Sequence, residues 1–399
     1  MKKILLLLSG SLFFIAVSYA RPAATLPAIA RPAIARPDTV LTGLVTDSAN
    51  AKAIPGCSVY LNNTSLGTVT RSDGTFLLKD IPAGKSTLII SAIGYKTFTL
   101  DIDGNNLPPP LKVRLRQRVT QLSAVTVEPS TKGGWGRYGK DFIDNFIGTT
   151  ANSWFCSIRN RKALRFYFSK KDNRLSVWAT EPLMIENTAL GYDLQYQLED
   201  FSLDYNTQTV LYLGYPLFRE LTTDRKHREQ RWIDNRRKAW RGSLHHFLRS
   251  LYYDCPFLRN FSMELPVMVM NPEKLRIKGI FNPAFSPDNY PKDSLIYYRK
   301  INADSNYIVE RRPVVTNDIV GDTKNGSRYL YFSGTLGITW RDDKSALADQ
   351  YSELKLLADS TIFIEADGNY YPTKALLATG YWSFTEKICN LLPNYYQPE

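Results

Sequence analysis

The stretch that decides the N-terminal fold runs from Gly67 to Tyr95 and reads GTVTRSDGTFLLKDIPAGKSTLIISAIGY. Apolar and polar residues alternate in short runs, which is typical of half-buried strands. Ser72-Asp73-Gly74 and Ile81-Pro82-Ala83-Gly84 separate these runs. Each predicts a tight turn, because Asp bonds its own backbone, Pro fixes φ and Gly tolerates positive φ. The stretch therefore predicts two short strands and a third that ends at Gly94-Tyr95.

The same pattern extends in both directions from this stretch. A strand and turn open at Leu41, and Leu111–Leu115 is a clean alternating strand. About seven strands fit between residues 40 and 118, which is enough for a sandwich of two sheets.

Short motifs occur in a fixed order along this module. They are Gly43-x-Val45-x-Asp47, Ile54-Pro55-Gly56-Cys57-x-Val59-x-Leu61, Gly67-Thr68-x-Thr70-x-Ser72-Asp73-Gly74-x-Phe76-x-Leu78, Pro82-x-Gly84 and Gly94-Tyr95. With them, residues 41–117 resemble the carboxypeptidase-regulatory-like domain. The resemblance implies a seven-stranded transthyretin-like β-sandwich that acts as a non-catalytic accessory module. Cys57 stands where that family usually has a small residue such as Ala, which leaves the fold expectation unchanged.

The N-terminus has the pattern of a secretory signal peptide over residues 1–20. Lys2 and Lys3 precede an apolar run from Ile4 to Val17, and Ser18-Tyr19-Ala20 offers small residues at a cleavage site. We expect cleavage after Ala20 and export to the periplasm, to an outer-membrane-associated position or to the medium. The alternative is an uncleaved anchor, although the apolar run is short for a span of ~20 residues. No later segment is apolar enough to span a bilayer as a helix.

Residues 21–39 form a Pro/Ala-rich linker, and residues 119–136 form a second linker. Residues 137–399 predict a larger β-rich α+β domain, so the whole chain is mainly β with some α. Its predicted elements are a helix at 141–147, strands near 164–168, 190–198, 263–269, 329–331 and 362–364, a turn at Asp367-Gly368-Asn369, and a short C-terminal helix holding Phe384, Ile388, Leu391 and Leu392.

Leu122–Val127 resembles the exit strand that leads to the plug and barrel of TonB-dependent outer-membrane receptors. The residues after Trp135 are too few for a plug and a 22-stranded barrel, so the receptor hypothesis is rejected. A further resemblance covers most of residues 135–398. Its motifs are Trp135-Gly136-x-x-Gly139, Phe146-Ile147-Gly148, Cys156-x-Ile158-x-Asn160, Glu181-Pro182-Leu183, Leu190-Gly191-Tyr192, Gly214-Tyr215-Pro216, Asn235-Arg236, Gly242-Ser243-x-x-His246-Phe247-Leu248-Arg249 and Gly380-Tyr381-Trp382. They are similar to the C-terminal region of uncharacterised exported Bacteroidetes proteins that carry the same N-terminal domain, which implies a shared architecture and an envelope location but no activity.

A basic helical stretch from about Thr223 to Tyr253 interrupts the strands. Gly242-Ser243 predicts a break within it, with Ser243 capping the second helix. The chain has a formal charge of +12, and this stretch concentrates much of the excess. The predicted anion-binding surface consists of Arg228, Arg236, Arg237 and Arg241. The alternatives are a solvated outer helix face and arginines that pair with an acidic surface of the same chain, such as Asp200 or Asp204. In an exported protein the partners expected for a basic surface are an anionic glycan, a lipid headgroup or an envelope protein, and not nucleic acid.

The sequence argues against several kinds of catalysis, and it predicts no catalytic, metal or cofactor residue. The histidines are His227, His245 and His246, and none begins the His-x-x-Glu pair of a zinc carboxypeptidase. A Cys-His pair from Cys156 or Cys255 with His246 is a weaker hypothesis. Glu181 and Glu264 are the carboxylates named for a glycosidase-like pair.

The four cysteines are Cys57, Cys156, Cys255 and Cys389, and their spacing leaves both disulfides and buried thiols open. Taken together, these features predict an exported, non-enzymatic envelope protein that acts in binding or assembly. The alternative is a hydrolase of envelope or dietary glycan or peptide that uses carboxylates of the C-terminal domain.

Overall fold

The structure is a computed structural model that describes residues 39–118, 130–254, 260–323, 327–341, 349–357 and 361–398. The expected signal peptide, nearly all of the Pro/Ala-rich linker, Leu122–Val127 and Cys255 lie outside these ranges. The described chain forms one N-terminal sandwich and a larger β-rich region built around two further hydrophobic cores.

The N-terminal sandwich has the seven strands predicted. They are β1 (Leu41–Asp47), β2 (Ser58–Leu61), β3 (Gly67–Val69), β4 (Thr75–Leu78), β5 (Lys85–Ser91), β6 (Phe98–Asp103) and β7 (Leu111–Leu115). One sheet has the order β4-β1-β7 and the other β3-β2-β5-β6. Alternate residues such as Val59 and Ile90 are fully buried between them, which confirms the two-sheet prediction.

The turn before β4 shows why its sequence is Asp73-Gly74. The main-chain N–H of Thr75 donates to Asp73 Oδ1 at 2.9 Å. Gly74 has φ of +78°, and a Cβ there would lie 2.6 Å from the carbonyl oxygen of Val45. Both the positive φ and the close approach require glycine.

The second unit follows with one helix and a six-stranded sheet. Its elements are α1 (Gly134–Phe146), β8 (Cys156–Ile158), β9 (Leu164–Ser169), β10 (Arg174–Ala179), β11 (Leu183–Asn187), β12 (Tyr192–Asp204) and β13 (Thr209–Glu220). The sheet order is β8-β11-β12-β10-β9, and β13 pairs with β12. Phe142 and Phe146 of α1 are completely buried against this sheet. The helix begins earlier than the sequence predicts, at Gly134. Glycine at this first position lets the helix lie close to β9, because a Cβ there would lie 2.7 Å from the Phe166 side chain.

The third unit holds the remaining elements. They are α2 (Lys226–Trp240), α3 (Leu244–Tyr253), β14 (Phe261–Met270), α4 (Pro272–Lys278), α5 (Lys292–Ala303), β15 (Tyr307–Val314), α6 (Thr316–Ile319), β16 (Val320–Asp322), β17 (Arg328–Leu330), β18 (Thr335–Trp340), β19 (Gln350–Leu356), β20 (Ile362–Ile364), β21 (Tyr370–Tyr371), β22 (Leu376–Gly380) and α7 (Tyr381–Thr385). Two sheets have the orders β15-β14-β18-β19-β22 and β16-β17-β20-β21. Ser243 accepts from the N–H of His246 at 3.0 Å, which confirms the predicted helix break and cap.

The C-terminus differs from the single short helix that the sequence predicts. α7 ends at Thr385, Glu386 leaves the helical region, and a separate 3-10 turn covers Ile388–Asn390. The Glu386 carboxylate accepts from the N–H of Leu244 at 3.0 Å, at the start of α3. The contact lies at the point where the chain leaves the helix, and Ile388 beyond it packs into the core of the second unit.

The sandwich docks on the rest of the chain through hydrogen bonds. The Tyr60 hydroxyl donates to the carbonyl oxygen of Tyr215 at 2.9 Å, and the N–H of Phe218 donates to the carbonyl of Thr64 at 2.8 Å. Near the C-terminus, Asn63 Nδ2 donates to the carbonyl oxygen of Leu392 at 3.3 Å. These contacts place one edge of the sandwich against β13 of the second unit and against the C-terminal segment that packs on the same core.

Candidate functional site

A cleft of about 800 Å³ opens between the sandwich and the third unit. Its described lining contains the carboxylates Asp80, Asp103, Glu220, Glu365 and Asp367 and the cation Lys85. With every one of these groups ionised, the formal charge of the lining is −4. The formal charge of the cleft lining is therefore opposite in sign to that of the whole chain, which is +12.

Each wall of the cleft comes from a different part of the chain. The sandwich contributes the turn before β5, Lys85 at the start of β5 and Asp103 at the end of β6. The third unit contributes the turn between β20 and β21, which carries Glu365 and Asp367. Tyr252 at the end of α3 and Tyr395 near the C-terminus add aromatic surface.

The turn between β20 and β21 is held by its own backbone and by helix α3. The N–H of Asn369 donates to Asp367 Oδ1 at 2.9 Å, and the N–H of Gly368 donates to the carbonyl of Glu365 at 2.9 Å. His245 Nε2 donates to the main-chain carbonyl of Asp367. Burial lowers the pKa of His245 to about 4, so the imidazole is neutral and its proton lies on Nε2. These bonds fix the backbone of the turn and the carboxylate of Asp367.

The Lys85 ammonium stands against two aromatic rings of the third unit, behind the lining of the cleft. Its ammonium lies 4.9 Å from the ring centroid of Tyr371 and 5.3 Å from that of Phe363. Its main-chain carbonyl accepts from Asn369 Nδ2 at 3.5 Å. Cation–π contacts of this kind hold the ammonium on the wall of the cleft.

The two carboxyl groups of the turn are harder to ionise than exposed ones. Burial raises the pKa of Glu365 to about 7, and the nearby Asp367 carboxylate adds to the rise. Burial also raises the pKa of Asp367 to about 6. Near neutral pH these groups hold the negative charge weakly, and they are poised to gain stability from a cation or a hydrogen-bond donor that enters the cleft.

The structure separates the four arginines of the predicted anion-binding surface. Arg228 is exposed near the start of α2, and Arg241 is exposed just after its end. Arg237 lies 3.3 Å from Asp234, one turn earlier on the same helix.

Arg236 is directed into the protein instead. Its Nε donates to the carbonyl of Leu190 at 2.7 Å, Nη2 donates to that of Gly191 at 3.3 Å, and its guanidinium lies 4.0 Å from the ring centroid of Tyr192. Of the acidic residues that the sequence offered as internal partners, Asp204 pairs with Arg174 at 3.1 Å.

The described residues weighed for catalysis are not among those that line the cleft. Glu181 accepts from Asn160 Nδ2 at 3.1 Å, and Glu264 lies 3.4 Å from Arg311. His246 accepts the N–H of Gly242 on Nδ1 at 3.1 Å, and burial lowers its pKa to about 3. His227 is exposed on α2.

Cys57, Cys156 and Cys389 are free thiols. Burial raises the pKa of the Cys156 thiol, which opposes the thiolate that a nucleophile needs. Among the residues that the structure describes, no group of three or more His, Cys, Asp or Glu side chains is placed to hold a metal ion. Within the same ranges, no helix has the length and apolar character required to cross a bilayer.

Sequence analysis did not identify the cleft carboxylates. Glu365 and Asp103 are far apart in the chain, and each occupies an ordinary strand end or turn. The Asp367-Gly368-Asn369 turn was the one local signal, and it predicted a hairpin and not a site.

Comparison with known proteins supports the N-terminal resemblance. The chain matches no curated protein. A solved structure of a Bacteroides fragilis protein of unknown function, described as membrane-associated, is 10% identical in sequence, and the match covers 85% of this chain and 93% of that one with a TM-score of 0.17. That TM-score is too low to support any inference about this chain. The model of the CarboxypepD_reg-like domain family matches residues 41–127, so the sandwich is confirmed as similar to that domain.

Proposed function

We propose that the protein is an exported, non-enzymatic cell-envelope protein that binds a small amine-bearing ligand in the cleft between the sandwich and the third unit. The signal-peptide pattern of residues 1–20 supports export. The accessory character of the carboxypeptidase-regulatory-like domain supports a binding role. In this proposal the sandwich acts as one wall of a binding site.

One observation carries the proposal. A cleft with five carboxylates and one ammonium on its described lining lies in a chain with an excess of basic residues. A positively charged group that enters this cleft gains Coulomb energy from the carboxylates and lowers the pKa of Glu365 and Asp367. The tyrosines of the lining add faces on which an ammonium can rest.

Calorimetric titration with spermidine and with glucosamine tests the proposal, and N-acetylglucosamine serves as the neutral counterpart. We expect the two amines to bind and the neutral sugar to bind at least tenfold more weakly. Asp103→Asn and Glu365→Gln each weaken amine binding about tenfold, while Asp101→Asn leaves it unchanged. Asp101 is the matched control, because it lies on β6 outside the cleft lining and bonds Thr87. If neither amine binds, or if the cleft variants bind as the wild type does, the cleft is not the site.

A hydrolase is the second candidate, and the carboxyl of Glu365 favours it. A group with a pKa of about 7 can donate a proton at neutral pH, as a general acid must. Asp103 is a second carboxylate on the same cleft. Incubation with bacterial peptidoglycan and with soluble polysaccharides, followed by assays for new reducing ends and new amino groups, tests this candidate. Product that wild type forms and Glu365→Gln does not would establish the hydrolase and overturn the non-enzymatic proposal.

The exposed part of the basic helix supports a separate anion-binding surface. Arg228 and Arg241 are exposed, and Lys226 and Arg231 extend the same basic segment. We propose that this surface binds an anionic glycan of the envelope. Arg236 is not part of this surface, because its guanidinium contacts the main chain and the Tyr192 ring instead.

A further inference from the structure

A long arm leaves the sheet of the third unit. We define the arm as residues 265–314, which comprise the second half of β14, helices α4 and α5, and β15. β14 pairs with β18 from Phe261 to Glu264, whereas from Leu265 to Met270 its described partner is β15. The arm is therefore a two-stranded ribbon that extends past the sheet and carries two helices at its tip.

One face of the ribbon is apolar and open to solvent. Cross-strand pairing sets Met268 opposite Val309 and Met270 opposite Tyr307. Paired residues share a face of a ribbon, so these four side chains form one patch. Their exposed fractions are 71%, 66%, 58% and 52% in that order.

The tip adds more apolar surface. Leu275, Ile280, Phe285 and Ile296 are all exposed on or between α4 and α5. Ten of the 23 large apolar side chains that are exposed in the described chain lie on the arm, although the arm has only 50 residues. Such a concentration marks an interaction surface.

The helices of the tip have a small interior of their own. Phe281 is buried, and its ring centroid lies 5.1 Å from that of Tyr290 and 5.8 Å from that of Tyr298. Asn271 caps α4 by accepting from the N–H groups of Glu273 and Lys274 at 3.1 and 3.2 Å. The tip is therefore an ordered structure, and the exposed apolar residues lie on its surface.

The arm is also basic. Residues 265–314 carry eight Lys or Arg and five Asp or Glu, a formal charge of +3. Glu273 is neutralised by Arg276, and Glu310 by Arg312 at 3.0 Å. Five cations of the arm form no ion pair with a described residue: Lys274, Lys278, Lys292, Arg299 and Lys300. Lys274 donates to the main-chain carbonyl of Asp304 instead. This leaves a positive tip beside exposed apolar side chains.

We propose that the arm docks on an anionic lipid surface. Apolar side chains enter the boundary between headgroups and acyl chains, tyrosines lie at the headgroup level, and lysines reach the lipid phosphates. The arm has all three components, and its charge is complementary to an anionic bilayer. The inference rests on the arm alone and does not depend on ligand binding in the cleft.

Co-sedimentation with vesicles tests the docking. Vesicles of phosphatidylcholine and phosphatidylglycerol at 70:30 are compared with vesicles of pure phosphatidylcholine, at 0.1 and 0.5 M NaCl. We expect the full chain to bind the anionic vesicles at least tenfold more tightly and to lose much of that preference at the higher salt concentration.

Two variants test whether vesicle binding depends on the ribbon patch or on exposed apolar residues anywhere in the chain. The quadruple variant Met268→Ser, Met270→Ser, Tyr307→Ser, Val309→Ser is expected to lose at least tenfold in affinity for the anionic vesicles. The control is Val69→Ser with Ile93→Ser, which removes two exposed apolar residues of the sandwich and leaves vesicle binding unchanged. Both variants are expected to keep the circular dichroism spectrum and the melting temperature of wild type.

Three outcomes overturn the proposal. The first is equal binding of wild type to the two vesicle compositions, or no binding to either. The second is a quadruple variant that binds as wild type does. The third is a wild-type dimer in light scattering that the quadruple variant converts to a monomer, because the patch would then be covered by a second copy of the chain.

Discussion

Helix α2 and the cleft are both rich in charge, but they use it in different ways. The arginines of α2 are neighbours in sequence, and one of them, Arg236, is committed to main-chain carbonyls and to the ring of Tyr192. The carboxylates of the cleft come from separate segments and meet at one opening. A run of charge in a sequence therefore does not predict the charge that a ligand will meet.

The largest expected effect comes from removing Arg236. Arg236→Ala leaves two carbonyls without their charged donor and removes the guanidinium from the Tyr192 ring, so we expect a loss of about 3 kcal/mol in the free energy of unfolding. Arg228→Ala, on the exposed part of the same helix, is the control and should change stability by less than about 0.5 kcal/mol. Urea unfolding measures both. Equal stability of the two variants would contradict the assigned roles.

The next effect concerns the turn that carries the cleft carboxylates. Gly368 has φ of +84°, and a Cβ there would lie 2.2 Å from the His245 ring. Gly368→Ala should cost about 2 kcal/mol and weaken amine binding, because the turn must move. Gly94→Ala is the matched control: its φ is +85°, but a Cβ there meets no atom within 4 Å. It should show the cost of φ alone, about 1 kcal/mol, with amine binding intact.

A smaller effect should appear in the pH dependence of stability. The folded chain raises the pKa of Glu365 from 4.5 to about 7, so the folded state binds this proton more tightly than the unfolded state does. Stability is therefore lost as pH rises from about 4.5 to 7. Glu365→Gln removes this loss. When pH is raised from 4 to 8, the free energy of unfolding of the variant should therefore rise by about 1 kcal/mol relative to that of wild type. This figure is reduced for solvent screening, because the group is half-buried. Urea unfolding at both pH values checks the sign.

The smallest effect is expected on the anion-binding surface. Arg228→Gln should elute from a heparin column at a slightly lower salt concentration than wild type, because one exposed cation is removed. The melting temperature should not change. If Arg228→Gln and Arg241→Gln both elute at the same salt concentration as wild type, then α2 does not form an anion-binding surface.

The parts of the fold that sequence predicted are those whose signals are local. The sandwich strands follow from alternation and from turns such as Asp73-Gly74, and the start of α3 follows from Ser243. The tip helices α4 and α5 were missed because neither has the apolar stripe that marks a helix in a sequence: α4 buries Ile277 alone, and α5 buries no residue. The cleft was missed because it forms only when Lys85 and Glu365 are brought together across 280 positions of sequence. The role of Arg236 likewise depends on the main chain that it faces.

The bond between Asn63 and Leu392 has a consequence for the order of events during synthesis. The two residues are 329 positions apart, which is roughly 15–65 s of translation at typical rates of ~5–20 residues per second. The strands of the sandwich emerge long before the segment that completes its docking edge. Until that segment arrives, the hydroxyl, amide and main-chain groups of this edge can take water as their hydrogen-bond partner.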